Sequence, residues 1–294
     1  MPLNFDVTKE ILRHCDASDL FSYACTSTSS ATLVKEYLTS RLLTVYGKFF
    51  QSPQNVPHIL ASCDAVISRS TALSILLPEM STTWTASDLD IYVPKCSFAH
   101  LSILLQKEGY HILHERAQNE NTYTPSSILT IITFDNNTRL IDVIVSNSYT
   151  ALSPIFQFHN TCVMNFISAY GIFCAYPNLT LHALSMVNPD GLYNGSFSPS
   201  TIPALCKYRE CGFRFISCTD TKHRYTQCKI STRSINDSGS LWLDFNQLPH
   251  RSCMPSDTFL RSGIIDVQWT LGGLVCGSNA AYLPPELRVK VDKS

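Results

Sequence analysis

Asp88, Asp90 and Asp142 are the residues of this chain whose type and spacing best suit chemistry. The first two lie in STTWTASDLDIYVPK, residues 81–95, two apart in an apolar, β-prone run. Side chains alternate along a strand, so both acids are expected on one face while Leu89, Ile91 and Val93 pack on the other. Two like charges that close repel unless water or a cation stands between them. Mg²⁺ is met by one or two carboxylates plus substrate phosphates, whereas an edge strand with a solvated acidic lip would carry the same pair without any ion. A third acid, Asp142, stands alone in the apolar run RLIDVIVS, where burial without a partner is costly. Laid beside the first strand, it would complete a set able to hold two Mg²⁺ ions bridging a nucleotide's phosphates. One ion would activate the attacking oxygen and the other would neutralise the leaving pyrophosphate.

The elements that must position these acids are legible from residue 63 onward. CDAVIS reads as a strand, STALSILL as a helix stopped by Pro78, and DLDIYV as a second strand. SFAHLSILLQKEG reads as a helix with Ser97 as N-cap and Gly109 as its stop. YHILHERA, SILTIITF and RLIDVIVS follow as strands, the last two joined by the hairpin residues DNNT. Beyond Ser146 the chain is expected to be helical around NTCVMNFISAY and irregular past Asn188, with a further strand in SGIIDVQWTLGGLVC. The first 50 residues predict three helices: one on Val7, Ile11, Leu12 and Cys15, a second from Ser18 or Asp19, and a third from about Ser30 to Phe50. QSPQNVP, with two prolines, reads as a linker. The expected organisation is a helical module (1–50), a mixed-sheet domain (58–188) and a mixed, partly irregular extension (189–294).

Composition narrows the function classes. The 294 residues carry 22 basic against 23 acidic side chains, so no basic face asks for nucleic acid. Hydrophobic residues make up 45% and charged residues 15%, which describes a globular chain. No apolar run reaches membrane-spanning length, and MPLNFDVTKE lacks the basic start and apolar core of a secretory signal. The 12 cysteines are scattered, which suits free thiols in a reducing, cytoplasmic or nuclear compartment and makes the sequons at Asn178, Asn194 and Asn236 chance matches. Cys211, Cys218, His223 and Cys228 end like a zinc knuckle but lack its close first pair. LGGLVCGS holds no complete phosphate-loop motif. Lys207, Arg209, Lys222 and Arg224 suit a solvated face, His159 a capping or packing role.

Two resemblances add to this reading. Val7, Ile11-Leu12, Asp19-Leu20 and YACTSTSS resemble an F-box, although LNFD replaces the usual Leu-Pro start and the later Trp is missing. The resemblance implies a three-helix unit that docks a Skp-type adaptor of cullin ubiquitin ligases, with Leu20 in the apolar contact. The stretch 63–145 resembles the nucleotidyltransferase fold of polymerase-β-like enzymes: an apolar strand (AVIS), a helix start (Arg69-Ser70), Asp88-x-Asp90, and a later strand with Asp142. That implies an α+β chain in which the helical N-terminal module precedes a nucleotidyltransferase-like mixed β-sheet with flanking helices. It further implies Ser70 on a triphosphate, Asp88, Asp90 and Asp142 on Mg²⁺, and transfer of a nucleoside monophosphate from a nucleoside triphosphate to a hydroxyl. MNFISAYGIFCAYPNLT and ALCKYRECGF are similar to segments of uncharacterised fungal proteins that join both units. One departure matters most. Arg69 stands where the family has glycine, whose lack of a Cβ allows a sharp turn and close approach of backbone amides to phosphate. Arg69 either contacts phosphate itself or obstructs it. In the second case the chain is a non-catalytic F-box-like adaptor with a pseudo-nucleotidyltransferase domain.

Overall fold

The computed structural model describes residues 5–117, 127–188, 201–216, 232–245, 267–269, 271 and 289–290. Three helices open it: α1 (Phe5–Arg13), α2 (Ala17–Ala24) and α3 (Thr28–Tyr46). Asp16 starts α2 by accepting from the Ser18 and Asp19 amides while the Asp19 carboxylate takes the Asp16 N–H. This reciprocal capping satisfies amides that have no intrahelical acceptor. The 51–57 stretch, expected to be a linker, is a 3₁₀ turn (Pro53–Asn55) running straight into α4 (Val56–Ser62). Both prolines fall at helix starts, where their missing N–H is not needed.

Among the described residues the central sheet has eight strands: β1 (Val66–Ser68), β2 (Leu89–Pro94), β3 (His111–Ala117), β4 (Ile128–Asp135), β5 (Leu140–Ser146), β6 (Asn165–Ile167), β7 (Gly171–Cys174) and β8 (Leu241–Asp244). Their order is β8-β7-β6-β1-β2-β5-β4-β3. The one parallel pair in it is β2–β5; every other neighbour is antiparallel. α5 (Arg69–Leu76) follows β1 without a loop, and α6 (Phe98–Lys107) connects β2 to β3 and ends before Gly109, whose φ is +88°. The architecture is thus mixed α and β around a mixed sheet.

NTCVMNFISAY is not helical. A 3₁₀ turn (Thr161–Val163) leads into β6, which forms a hairpin with β7. Met164, Phe166 and Ile167 are all fully buried, and an apolar run buried on both faces reads the same as a core helix. Gly171 opens β7 because a Cβ there would collide with the Leu243 carbonyl and the Trp242 ring, which lie across the β7–β8 pairing.

The two faces of the sheet bury different partners. Leu89, Ile91, Val93, Val143 and Phe134 share one apolar cluster with Leu12, Leu20, Val34 and Leu38 of the opening helices and Leu101 of α6. Tyr92, Ile144, Phe166 and Phe173 belong to the cluster on the other face, with Phe156, Phe158, Trp269 and Tyr208 of α7 (Thr201–Glu210). Trp269 stacks on Phe156 at 4.0 Å between ring centroids and donates its indole N–H to Tyr176.

Arg41 of α3 ties the opening helices to α5. Its guanidinium donates to the carbonyls of Ser74, Ile75 and Leu77, which lack intrahelical partners at the C-terminal end of α5. Three charge-assisted bonds are at stake, so Arg41→Met is expected to lower the unfolding free energy by about 2–4 kcal/mol. Urea denaturation measures it; a loss below about 0.5 kcal/mol would mean that α5 is held without this contact.

Candidate functional site

The turn from β1 into α5 builds the site. Ser68 is extended and donates its hydroxyl to the Asn165 carbonyl of β6 at 2.5 Å. Arg69 then takes a left-handed backbone, φ +58°, a conformation that costs a residue with a Cβ roughly 1 kcal/mol. Its side chain reaches to β2, and Nη1 donates to Asp90 Oδ1 at 2.7 Å. The guanidinium carbon lies 6.0 Å from the centroid of the Tyr92 ring and 5.6 Å from that of Phe158. About a third of the Arg69 side chain meets solvent, whereas Asp90 is 2% exposed.

The three aspartates reach the same region in different ways. Asp90 and Asp142 are register partners on the parallel strands β2 and β5, so they project to one face. That face is the one that also carries Tyr92 and Ile144. Asp88 precedes β2 at a bend, half-buried, and accepts from the Ser87 hydroxyl; Thr71 of α5 donates to its carbonyl. Ser70 is buried in the first turn of α5.

Sequence reasoning missed the polar residues that continue this level of the sheet. Ser68 pairs with Asp90, Asp90 with Asp142, Asp142 with Thr133 of β4, and Thr133 with His114 of β3. Thr133 donates to Asp142 Oδ1 at 2.6 Å and stands 3.2 Å from His114 Nε2. A hydroxyl has one proton, so Thr133 must accept from His114 there. The signal that could have found Thr133 was its place as the one polar residue within IITF, next to a strand whose own lone polar residue is Asp142.

Tyr92 also escaped notice, whereas His159 was expected to cap or pack. Tyr92 Oη is buried and interacts with the Arg69 guanidinium, and His159 Nε2 is buried with no hydrogen-bond partner among the described residues. The His159 ring lies 6.1 Å from that of Tyr208. His159 therefore does pack, as expected, but with one nitrogen unsatisfied. Lys207 and Arg209 lie on the exposed side of α7, and Cys211 is half-buried past its end; Cys218, Lys222, His223, Arg224 and Cys228 lie outside the described residues.

Burial pushes the Asp90 carboxyl up to about 7; Arg69 opposes that shift, and Asp88 and Asp142 add to it. Burial alone would lower the Arg69 pKa, but the facing Tyr92, Asp90, Tyr208 and Asp142 more than offset it, so the guanidinium stays charged. Burial and then Arg69 bring His159 down to about 4, so its imidazole is neutral near pH 7.

One Asp90 oxygen is already committed to Arg69, so a magnesium ion on that carboxylate would compete with the guanidinium. What the centre can do as it stands is neutralise buried acid with an internal cation. Neither a known protein family nor a curated protein sequence matches the chain.

Asp90 and His159 should load the pH dependence of stability in opposite directions. Asp90 holds its proton to higher pH folded than unfolded, so its contribution is lost as pH rises from about 4 to about 7. His159 resists protonation when folded, so its contribution is lost as pH falls from about 6.5 to about 4. Each slope is bounded by about 1.4 kcal/mol per pH unit. In urea titrations at pH 5 to 7.5, Asp90→Asn should lose stability on acidification, and His159→Gln should gain it. Two parallel profiles would show that these groups do not share the centre.

Proposed function

We propose that this chain carries a nucleotidyltransferase-like domain whose acidic centre is closed by its own arginine, and that it works as a non-catalytic interaction protein. The observation that carries the reading is Arg69: left-handed at the position where the resemblance expects glycine, with its guanidinium on Asp90. The element order supports the resemblance, since an apolar strand, a helix start, Asp88-Leu89-Asp90 and a parallel strand with Asp142 follow one another. The register of Asp90 with Asp142 favours the second reading, a Mg²⁺-dependent transfer of a nucleoside monophosphate from a nucleoside triphosphate. In that reading Arg69 and Ser70 would contact the phosphates. The Arg69–Asp90 contact weighs more, because a metal would have to displace a charge-assisted hydrogen bond between mostly buried groups.

Magnitudes decide the test. Arg69→Gly relieves roughly 1 kcal/mol of backbone strain but leaves Asp90 buried and unpaired at about 3–5 kcal/mol. The variant should therefore be destabilised in EDTA by about 2–4 kcal/mol, and millimolar Mn²⁺ should restore stability by binding the folded state alone. The wild type should be indifferent to Mn²⁺. Thermal unfolding with and without the ion reads both, and a wild type stabilised by Mn²⁺ as strongly as the variant would overturn the non-catalytic reading.

The docking element of this reading is the opening helices. Leu20, expected in the adaptor contact, is fully buried against the sheet side of the core, and so is Leu12. Val7 and Ile11, four apart on α1, are instead 47% and 48% exposed. A Skp-type adaptor would be met by this outward stripe. Val7→Asp with Ile11→Asp should abolish capture of a purified Skp-type adaptor while leaving the melting temperature within about 2 °C, since both changes lie at the surface. Undiminished capture by the double variant would remove α1 from the interface.

A further inference from the structure

Between α1, α3 and the segment 79–86 lies a cavity of about 570 Å³, lined by Ser74 and Ile75 at the C-terminal end of α5. That volume is in the range of small-molecule sites. Its walls combine aromatic surface from Tyr37, Phe49 and Trp84 with a high density of charge.

The charges are unevenly committed. Glu10 and Glu79 both face Arg13, at 3.0 and 3.5 Å, and Glu79 also accepts from the Tyr37 hydroxyl. Those two acids share the Arg13 guanidinium as their ion-pair partner within the wall. Arg41 is committed to three carbonyls of α5, with Tyr37 and Glu79 as further electrostatic partners, and burial is what lowers its pKa. Lys9 and Lys48, on α1 and just past α3, make no ion pair with any described carboxylate. Asp6 is the remaining acid of the wall, so the lining carries four cations against three acids. Uncommitted positive charge beside aromatic walls selects for an anionic group on a flat apolar body: the anion meets Lys9 and Lys48, and the body lies against Trp84 and Phe49.

We infer that this cavity is a binding site for a small organic anion with an aromatic or flat apolar body, taken up where the opening helices meet α5. It owes nothing to the aspartate centre, so its test is independent of the non-catalytic reading.

The probes are 8-anilinonaphthalene-1-sulfonate, which has both features, and N-phenyl-1-naphthylamine, which has the same ring system without the charge. Fluorescence titration of the full chain should give one saturable site for the sulfonate and at least ten-fold weaker binding of the neutral amine. Lys9→Glu with Lys48→Glu reverses two exposed charges and should weaken the sulfonate ten-fold or more without moving the melting temperature. That corresponds to the loss of about one charge-assisted contact. Trp84→Ala should weaken both probes. Equal affinity for the two probes, an undiminished lysine double variant, or no saturable binding would each overturn the inference. If the double variant unfolds, Trp84→Ala together with the comparison of the two probes still decides it.

Discussion

A carboxylate in the middle of an eight-stranded sheet cannot stay charged without a cation, and Asp90 takes its cation from Arg69, twenty-one residues earlier in the chain. Much of the surrounding structure follows from that one contact. Arg69 must leave β1 and reach back over β2 within a single residue, which the left-handed backbone allows and an ordinary helix start would not. Its guanidinium must also lie against aromatic rings rather than in water, and Tyr92, two residues past Asp90 on the same face, and Phe158 provide them. A lysine would serve poorly here, since its compact ammonium is more strongly hydrated and has no planar face to lay on a ring.

The same contact gives meaning to the polar row across the sheet. Moving outward from Asp90, each step lands on a polar residue of the next strand: Asp142, then Thr133, then the exposed His114. Asp90, nearest the core, needs a full cation. Asp142, half-buried, makes do with one hydroxyl, and Thr133 passes the demand to a histidine at the sheet edge. The cost of burial falls with distance from the core, and the strength of the partner falls with it.

What could be read beforehand follows the same physics. The facing of Asp90 and Asp142 was legible because strand alternation and apolar surroundings leave an acid few places to point. Arg69 was legible as a departure, though not as the partner of Asp90, because the left-handed turn that carries its side chain over β2 leaves no period in the sequence. β6 was misread because a run buried on both sides carries no period. Leu20 was misplaced for a related reason. Helical spacing shows which residues share a stripe, but not whether that stripe meets the chain's own sheet or another protein.

α5 connects these features mechanically. Eight residues long, about 12 Å at the usual helical rise, it carries Arg69 at its first position and offers its last carbonyls to Arg41. One arginine ties the helix to the sheet, and the other ties it to α3. The helix is also buried along most of its length, with Ala72, Leu73, Ile75 and Leu76 inside the two apolar clusters. It cannot slide toward either end without breaking charge-assisted bonds at one of them. The height at which the Arg69 guanidinium meets Asp90 is therefore set from both ends of α5. The opening helices do more than cover the sheet: through Arg41 they hold in register the turn that keeps its central acid neutralised.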